Sequence, residues 1–297
     1  MRIILIWIIA ITITTGCAYK QSTPEDLKSA IKEKLGTLEG DFAIAFKNMA
    51  DTTQTILING REMFHAASTM KTPVMIELFK QAGEGRFLLE DSITIKNEFR
   101  SIVDSSRYRM DISEDSEGEL YEMIGEKRTI RDMIDDMITM SSNLATNILI
   151  EKAGAHNVTQ TMRSYGADSI LVLRGVEDIK AYEQGLSNRT TARDEMAIYE
   201  QIAREEAVSP EASRAMMDIL KQQHFNEMIP ARLPGEVEVA HKTGWITGVN
   251  HDAGIVLLPD GRRYVLVMLS KNAPDREAVL TAFADISRMV YDFVVRN

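Results

Sequence analysis

The chain has 297 residues, with 44 Asp and Glu against 34 Lys and Arg, a formal charge of −10 and a single cysteine. That acidic balance, with no Lys/Arg-rich run, argues against nucleic acid or an anionic membrane surface as a partner. The length supports one large domain or two modest ones, and one cysteine excludes an intrachain disulfide.

The chain opens with Arg2 and an apolar run from Ile3 to Ile13. A spanning helix needs roughly 20 apolar residues, so this run is too short to cross a membrane and fits the centre of an export signal. Thr14-Thr15-Gly16-Cys17 resembles the lipobox of bacterial lipoproteins, in which the cysteine becomes the lipid-bearing first residue. An ordinary cleaved signal with an incidental cysteine is the alternative. Residues 1–17 are thus expected to direct export to the periplasm or cell envelope with Cys17 as anchor, and residues 18–23 to form a polar tether.

Pro24 to Leu35 predicts an amphipathic helix with Leu27, Ile31 and Leu35 on one stripe, closed by Gly36. Asp41–Phe46 and Thr55–Asn59 read as strands. Pro73 to Gln81 then carries Val74, Met75, Leu78 and Phe79 at helical spacing. Proline is tolerated only near a helix start, so this helix should begin close to Ser68. Ser68 and Lys71 then share one helical face, with Cβ atoms about 5–6 Å apart. Ser29 and Lys32 show the same spacing in a polar helix, so spacing alone assigns nothing.

Leu88 to Ala203 reads as helices and loops without a convincing strand, and residues 104–126 as a polar surface excursion. Ile130, Met133, Ile134 and Met137 form a buried stripe that runs into Ser141-Ser142-Asn143, ahead of a helix over Leu144–Ala153. Leu171 to Ala192 is a long irregular segment around Arg174 and Glu177, of a length that is often functional. Helix resumes over Thr191–Arg204. Val237–His241, Gly254–Leu258 and Tyr264–Leu269 are strands, the last two joined at Pro259-Asp260-Gly261. Asp275 to Val295 closes the chain as a helix. The class is α+β: one five-stranded antiparallel sheet flanked by terminal helices, with an all-α subdomain inserted. The boundaries are 24–87 and 205–297 for the α/β part and 88–204 for the insert, with a cleft between them.

Three polar signals follow in order: Ser68-x-x-Lys71, Ser141-x-Asn143, and Lys242-Thr243-Gly244 where a strand should leave the sheet. Ser270-Lys271-Asn272 is a decoy for the second. The ordered set is the known signature of the serine β-lactamase and penicillin-binding superfamily, and the sequence resembles that superfamily from about Asp26 to the C-terminus. Acyl transfer to a serine needs a proton acceptor, donors for the oxyanion and a donor for the leaving nitrogen. The resemblance implies Ser68 as nucleophile, with Lys71 or Glu177 as the acylation base. It implies Ser141 as proton relay and Asn143 as holder of a substrate amide. Lys242 would supply positive potential and Thr243 would bind a substrate carboxylate beside Gly244. The oxyanion hole would be the backbone N–H groups of Ser68 and Trp245.

Within that superfamily the likeness is to class A β-lactamases, through Phe64–Lys71, Ile138–Asn147, Leu173–Thr191 and His241–Gly244. It implies that Asn147 and Arg174 support the omega loop and that Glu177 positions the hydrolytic water. The sequence departs from the pattern at several points. Ser142 stands where an Asp is usual, and Glu177 follows Arg174 by three residues rather than two. Asn188 replaces the loop's closing Asp, Trp245 is bulky, and Ala253 stands where many relatives place a carboxylate-binding Arg.

The expected activity is therefore serine β-lactamase. A penicillin-binding-type peptidase or esterase is the alternative, and an envelope binding protein with an inactive site is a third reading. No metal spacing (H-E-x-x-H or H-x-H) and no G-x-S-x-G elbow is present, so no metal and no cofactor is expected. His65, His241 and His251 read as ordinary satisfied side chains, and Trp245 as a half-buried packing residue. The expected partners are a small β-lactam and, through the lipid alone, a membrane, with the protein a monomer.

Overall fold

The computed structural model describes residues 23–297, so the expectations for residues 1–17, Cys17 and most of the tether lie outside the described residues. Helix α1 (Pro24–Leu35) starts with Pro24 in its first turn and a reciprocal cap between Thr23 and Asp26. It ends at Gly36 in the right-handed region, so that glycine's special freedom is not used there. Ser29 and Lys32 are exposed on this helix and take no part in any site.

Five strands form one antiparallel sheet: β1 (Asp41–Asn48), β2 (Thr55–Ile58), β3 (Glu238–Ile246), β4 (Val249–Leu257) and β5 (Arg263–Lys271). Their order is β2-β1-β5-β4-β3, which sets chain-distant β1 and β5 side by side at the centre. Both faces of the sheet are covered, so β5 reads as a continuous apolar run rather than an alternation. Along β1, Ile44 and Phe46 pack toward α1 and the C-terminal helix, while Ala43 and Ala45 face the helical region. The turn at Pro259-Asp260-Gly261 closes the β4–β5 hairpin, with Gly261 at a φ of 88°.

Between the sheet's two halves lie α2 (Lys71–Gly83), α3 (Ile130–Thr139), α4 (Asn143–Ala153), α5 (Ala155–Ser164), α6 (Ala192–Ala203) and α7 (Pro210–Leu220). Helix α8 (Arg276–Arg296) buries Val279, Phe283, Ile286, Val290 and Phe293, the stripe legible in its sequence. Each of these side chains contributes about 1.5–3 kcal/mol of apolar burial.

Three expectations are corrected. The middle region is helical but also carries short strand pairs, 92–94 with 127–129 and 99–100 with 107–108, and residues 189–190 pair with 64–65. Runs of two or three residues are too short to show a period. Lys242 does not mark a strand's exit, because β3 runs on to Ile246 and pairs Lys242 with Ala253. Residues 104–126 are not merely a surface excursion, because Asp115 reaches the start of α4.

Candidate active site

Ser68 lies in a 3-10 turn, Ala67–Met70, that feeds directly into α2. It is the one residue of the turn that is not buried. Ala67, immediately before it, has a φ of 45°, and Ser141 and Glu177 have φ values of 59° and 60°. Non-glycine residues held in the left-handed region cost about 1–3 kcal/mol each and gather at functional sites. Strand β3 passes close against the turn: a Cβ on Gly244 would lie 3.0 Å from the Ser68 amide nitrogen. A side chain at that position would crowd the backbone of the turn, so the close approach favours glycine.

Lys71 is fully buried. Its Nζ donates to the Ser141 carbonyl at 2.6 Å, to Ser141 Oγ at 3.2 Å and to Asn143 Oδ1 at 3.0 Å. Burial lowers its pKa to about 7, against the attraction of Asp115 and Glu177. Lys242, also fully buried, donates to Ser141 Oγ at 3.0 Å and to the Thr243 carbonyl at 3.0 Å. Burial and the nearby Lys71 push its pKa well below the usual lysine range, with Asp252 opposing. One hydroxyl thus sits between two buried amines, whose mutual repulsion disfavours two positive charges. Ser141 can accept from either amine and pass a proton toward the cavity.

The Ser142 hydroxyl caps α4 by accepting from the Ala145 amide. The Asp115 side chain accepts from the amides of Asn143 and Leu144 at 2.8–3.0 Å, and from the Tyr121 hydroxyl at 3.0 Å. An acid from 28 residues upstream in the chain therefore occupies the positive end of the helix. Nothing in its local sequence marked it, since its partner is remote.

The omega-like loop is shaped by side chains bonding backbone. Asn147 accepts from the Val176 amide at 2.6 Å and donates to the Val176 carbonyl at 3.0 Å. A Cβ on Gly175 would lie only 2.1 Å from Asn147 Oδ1, so that position must be glycine. Arg174 is buried and donates to the carbonyls of Gly175 and Leu186. Asn188 does not meet the guanidinium; it accepts from the Leu173 and Arg174 amides and donates to the Arg174 carbonyl. Asp178, buried, ties the loop to the Ser101 hydroxyl and the Ile102 amide.

Glu177 Oε2 accepts from the Asp111 amide at 3.0 Å, and Oε1 lies 3.4 Å from Asn143 Nδ2. Asn143 thereby bridges Lys71 and Glu177. Burial raises the Glu177 pKa, opposed by its bond from the Asp111 amide and assisted by Asp115.

Two cavities meet at Ser68. One, about 430 Å³, is lined by Ser141, Asn143, Thr243, Gly244 and Arg276, and the other, about 650 Å³, by Glu177, Arg174 and Tyr182. Trp245 borders both and is 59% exposed, so it is not the half-buried packing residue expected; it lies beside the turn of the β3–β4 hairpin. The Arg276 guanidinium lies 5.8 Å from its ring centroid. Arg276, the first residue of α8, brings to this cleft the cation that the sequence lacks at Ala253.

The histidines are satisfied side chains, as read. Buried His241 bonds Asp252 at 2.8 Å, His251 bonds the His65 carbonyl at 2.8 Å, and His65 Nδ1 accepts from the Ala67 amide. The decoy Ser270 accepts from the Asn250 amide inside the sheet, away from Ser68.

The model of the beta-lactamase enzyme family matches residues 26–294. A beta-lactamase of Bacteroides uniformis is 28% identical over 181 residues, 55% of this chain and 60% of that relative, so the match spans less than two thirds of its length. The extended-spectrum beta-lactamase PER-1 of Pseudomonas aeruginosa is 23% identical over 261 residues, 83% of this chain and 80% of the relative. Among solved structures, a mutant of PBP-A captured as an acyl-enzyme complex with penicillin G is 27% identical, with a TM-score of 0.78 over 93% of this chain and 99% of its own.

Proposed function

The chain belongs to the β-lactamase enzyme family, and on that premise we propose that it is a serine β-lactamase acting through an acyl-Ser68 intermediate. The observation that carries this reading is the Ser141 hydroxyl, held at 3.2 Å and 3.0 Å by Lys71 and Lys242 in the cavity that Ser68 lines. Residues 24–87 and 205–297 carry Ser68 and Lys242, residues 88–204 carry Ser141 and Glu177, and the lactam binds between them.

Ser68 Oγ attacks the lactam carbonyl and its proton passes to Lys71, whose amine is half neutral near pH 7. Negative charge on the carbonyl oxygen is met by the amides of Ser68 and Trp245. As the C–N bond breaks, Ser141 hands its proton to the leaving nitrogen and takes back from Lys71 the one that came from Ser68. Asn143 holds the substrate's side-chain amide, and Thr243 with Lys242 and Arg276 receives its carboxylate. Glu177 then takes a proton from water as the water attacks the ester, and Ser68 leaves with its hydroxyl restored.

The test is intact mass spectrometry with penicillin G. A transient adduct on Ser68, absent from Ser68→Ala and lasting in Glu177→Gln, supports the proposal; no adduct on the wild type rejects it. A second reading, a penicillin-binding-type peptidase or esterase, draws support from the anchoring of Glu177 on the Asp111 amide and from the likeness to PBP-A. It is distinguished by an adduct that persists on the wild type.

We also infer export with lipid attachment at Cys17, from the apolar run and the residues before it. Cys17→Ala should move the protein from the membrane fraction to the soluble one, and an unchanged distribution would rule the anchor out. The protein should run as a monomer on size exclusion.

A further inference from the structure

Behind the nucleophile turn lies a carboxyl group that no step above uses. Glu195, on α6, is fully buried, and its Oε1 lies 2.9 Å from the hydroxyls of both Thr69 and Thr190. Thr69 follows Ser68 in the chain. Thr190 ends the omega-like loop, in the strand pair that joins residues 189–190 to 64–65. Glu195 Oε2 is buried with no partner.

A count of protons favours one state of this group. Thr69 has one hydroxyl proton and two acceptors within reach, the Ala66 carbonyl at 2.7 Å and Glu195 Oε1 at 2.9 Å. With an ionised carboxylate, one of those two short contacts has no proton in it. A neutral carboxyl satisfies all three contacts: Thr190 donates to Oε1, the Oε1–H donates to Thr69 Oγ1, and Thr69 donates to the Ala66 carbonyl. The Ala66 carbonyl also accepts from the Thr69 amide at 3.1 Å, the bond that closes the turn presenting Ser68. The chain of bonds therefore runs from the end of the loop to the base of the nucleophile.

We propose that Glu195 is a positioning residue, held as a neutral acid, whose proton couples the omega-like loop to the turn that presents Ser68. The role rests on Ser68 being the nucleophile. The setting favours neutrality: burial raises the carboxyl pKa to about 7 against the two threonine hydroxyls, and Asp194 adds to the rise. Asp194 is occupied by the amides of Ser169 and Ile170. On the facing elements, Asp252 is bound to His241, and Lys47 of β1 to Glu200. The Tyr199 hydroxyl bonds Thr72, and His251 bonds the His65 carbonyl. Among the described residues, no cation is paired with Glu195. Loss of its proton draws the Thr69 proton off the Ala66 carbonyl and loosens the turn, so acylation should decline on the alkaline side.

The experiment compares wild type with Glu195→Gln, whose amide nitrogen can donate to both threonines at any pH. Two readouts are taken from about pH 6 to about pH 9: the rate of Ser68 acylation by penicillin G, and the C=O stretch of a protonated carboxyl in difference infrared spectra. The wild type should show that band at the acid end and lose it as acylation declines. Both proteins should gain rate as Lys71 loses its proton near pH 7; Glu195→Gln should lack the band and hold its plateau at alkaline pH, where the wild type declines. Thr69→Val should lower the acylation rate about tenfold with little change in KM. If the variants fold poorly, titration of the infrared band in the wild type alone reads the protonation state. Superimposed pH profiles for wild type and Glu195→Gln, or a wild type without the band, overturn the role of Glu195. Absence of any Ser68 adduct in the wild type overturns the acyl-enzyme reading, and the role with it.

Discussion

The wall of the cleft that carries Lys71, Ser141 and Lys242 sets two buried amines about one hydroxyl, held by bonds of 2.6 to 3.2 Å between the start of a helix, a loop end and the edge strand β3. The wall that carries Glu177 is a loop, and its shape comes from Asn147, Asn188 and Asp178 bonding backbone rather than from packed secondary structure. The difference bears on the two halves of the proposed reaction. In the proposed mechanism, acylation is built on regular secondary structure, whereas deacylation hangs on a segment that polar side chains must hold in shape. Substitutions in the first wall should stop everything, and substitutions in the second should separate the two rates.

The largest effect is expected from Ser68→Ala, which should lower turnover by about 10⁴-fold or more and leave no covalent adduct in mass spectra. Lys71→Met should slow acylation by about 10³-fold in single-turnover kinetics. It should also change stability in a defined direction. Because the folded pKa of Lys71 lies near 7, below its unfolded value, the unfolded chain binds the extra proton between those two values. Wild-type stability should therefore rise with pH from about 7 toward about 10, with the full cost present below 7. The urea midpoint of Lys71→Met should lose the Lys71 share of that slope and keep the share that buried Lys242 contributes. On the loop wall, Glu177→Gln should slow deacylation by about 10²-fold while acylation changes only a few-fold. The smallest effect belongs to Asn147→Ala, which should cost about 1–3 kcal/mol by leaving the Val176 amide unpaired and its carbonyl with the Tyr108 hydroxyl alone. It should raise protease cleavage within residues 171–191.

What the sequence made legible is what is local. Ser68 and Lys71 are three residues apart, Ser141 and Asn143 two, and helical or strand patterning was enough to set each on its element. The closing helix and the central strands were legible because long apolar stripes survive any single exception. Asp115, Arg276 and Glu195 were not, since each acts through a partner distant in the chain and sits in an unremarkable local setting. Helices α5 and α7 were missed because their buried faces mix Thr, Ser and Met with few strong apolar residues. The loop's shape was equally hidden: Asn188 stood where a charge partner for Arg174 was sought, and its amide bonds the backbone instead.

The central claim, that one wall loads Ser68 and the other unloads it, is tested most directly by following the Ser68–penicillin G adduct in a single turnover. The adduct should form at similar rates in wild type and Glu177→Gln, then vanish from the wild type about 10² times faster. Equal rates of loss from the two proteins would contradict the account.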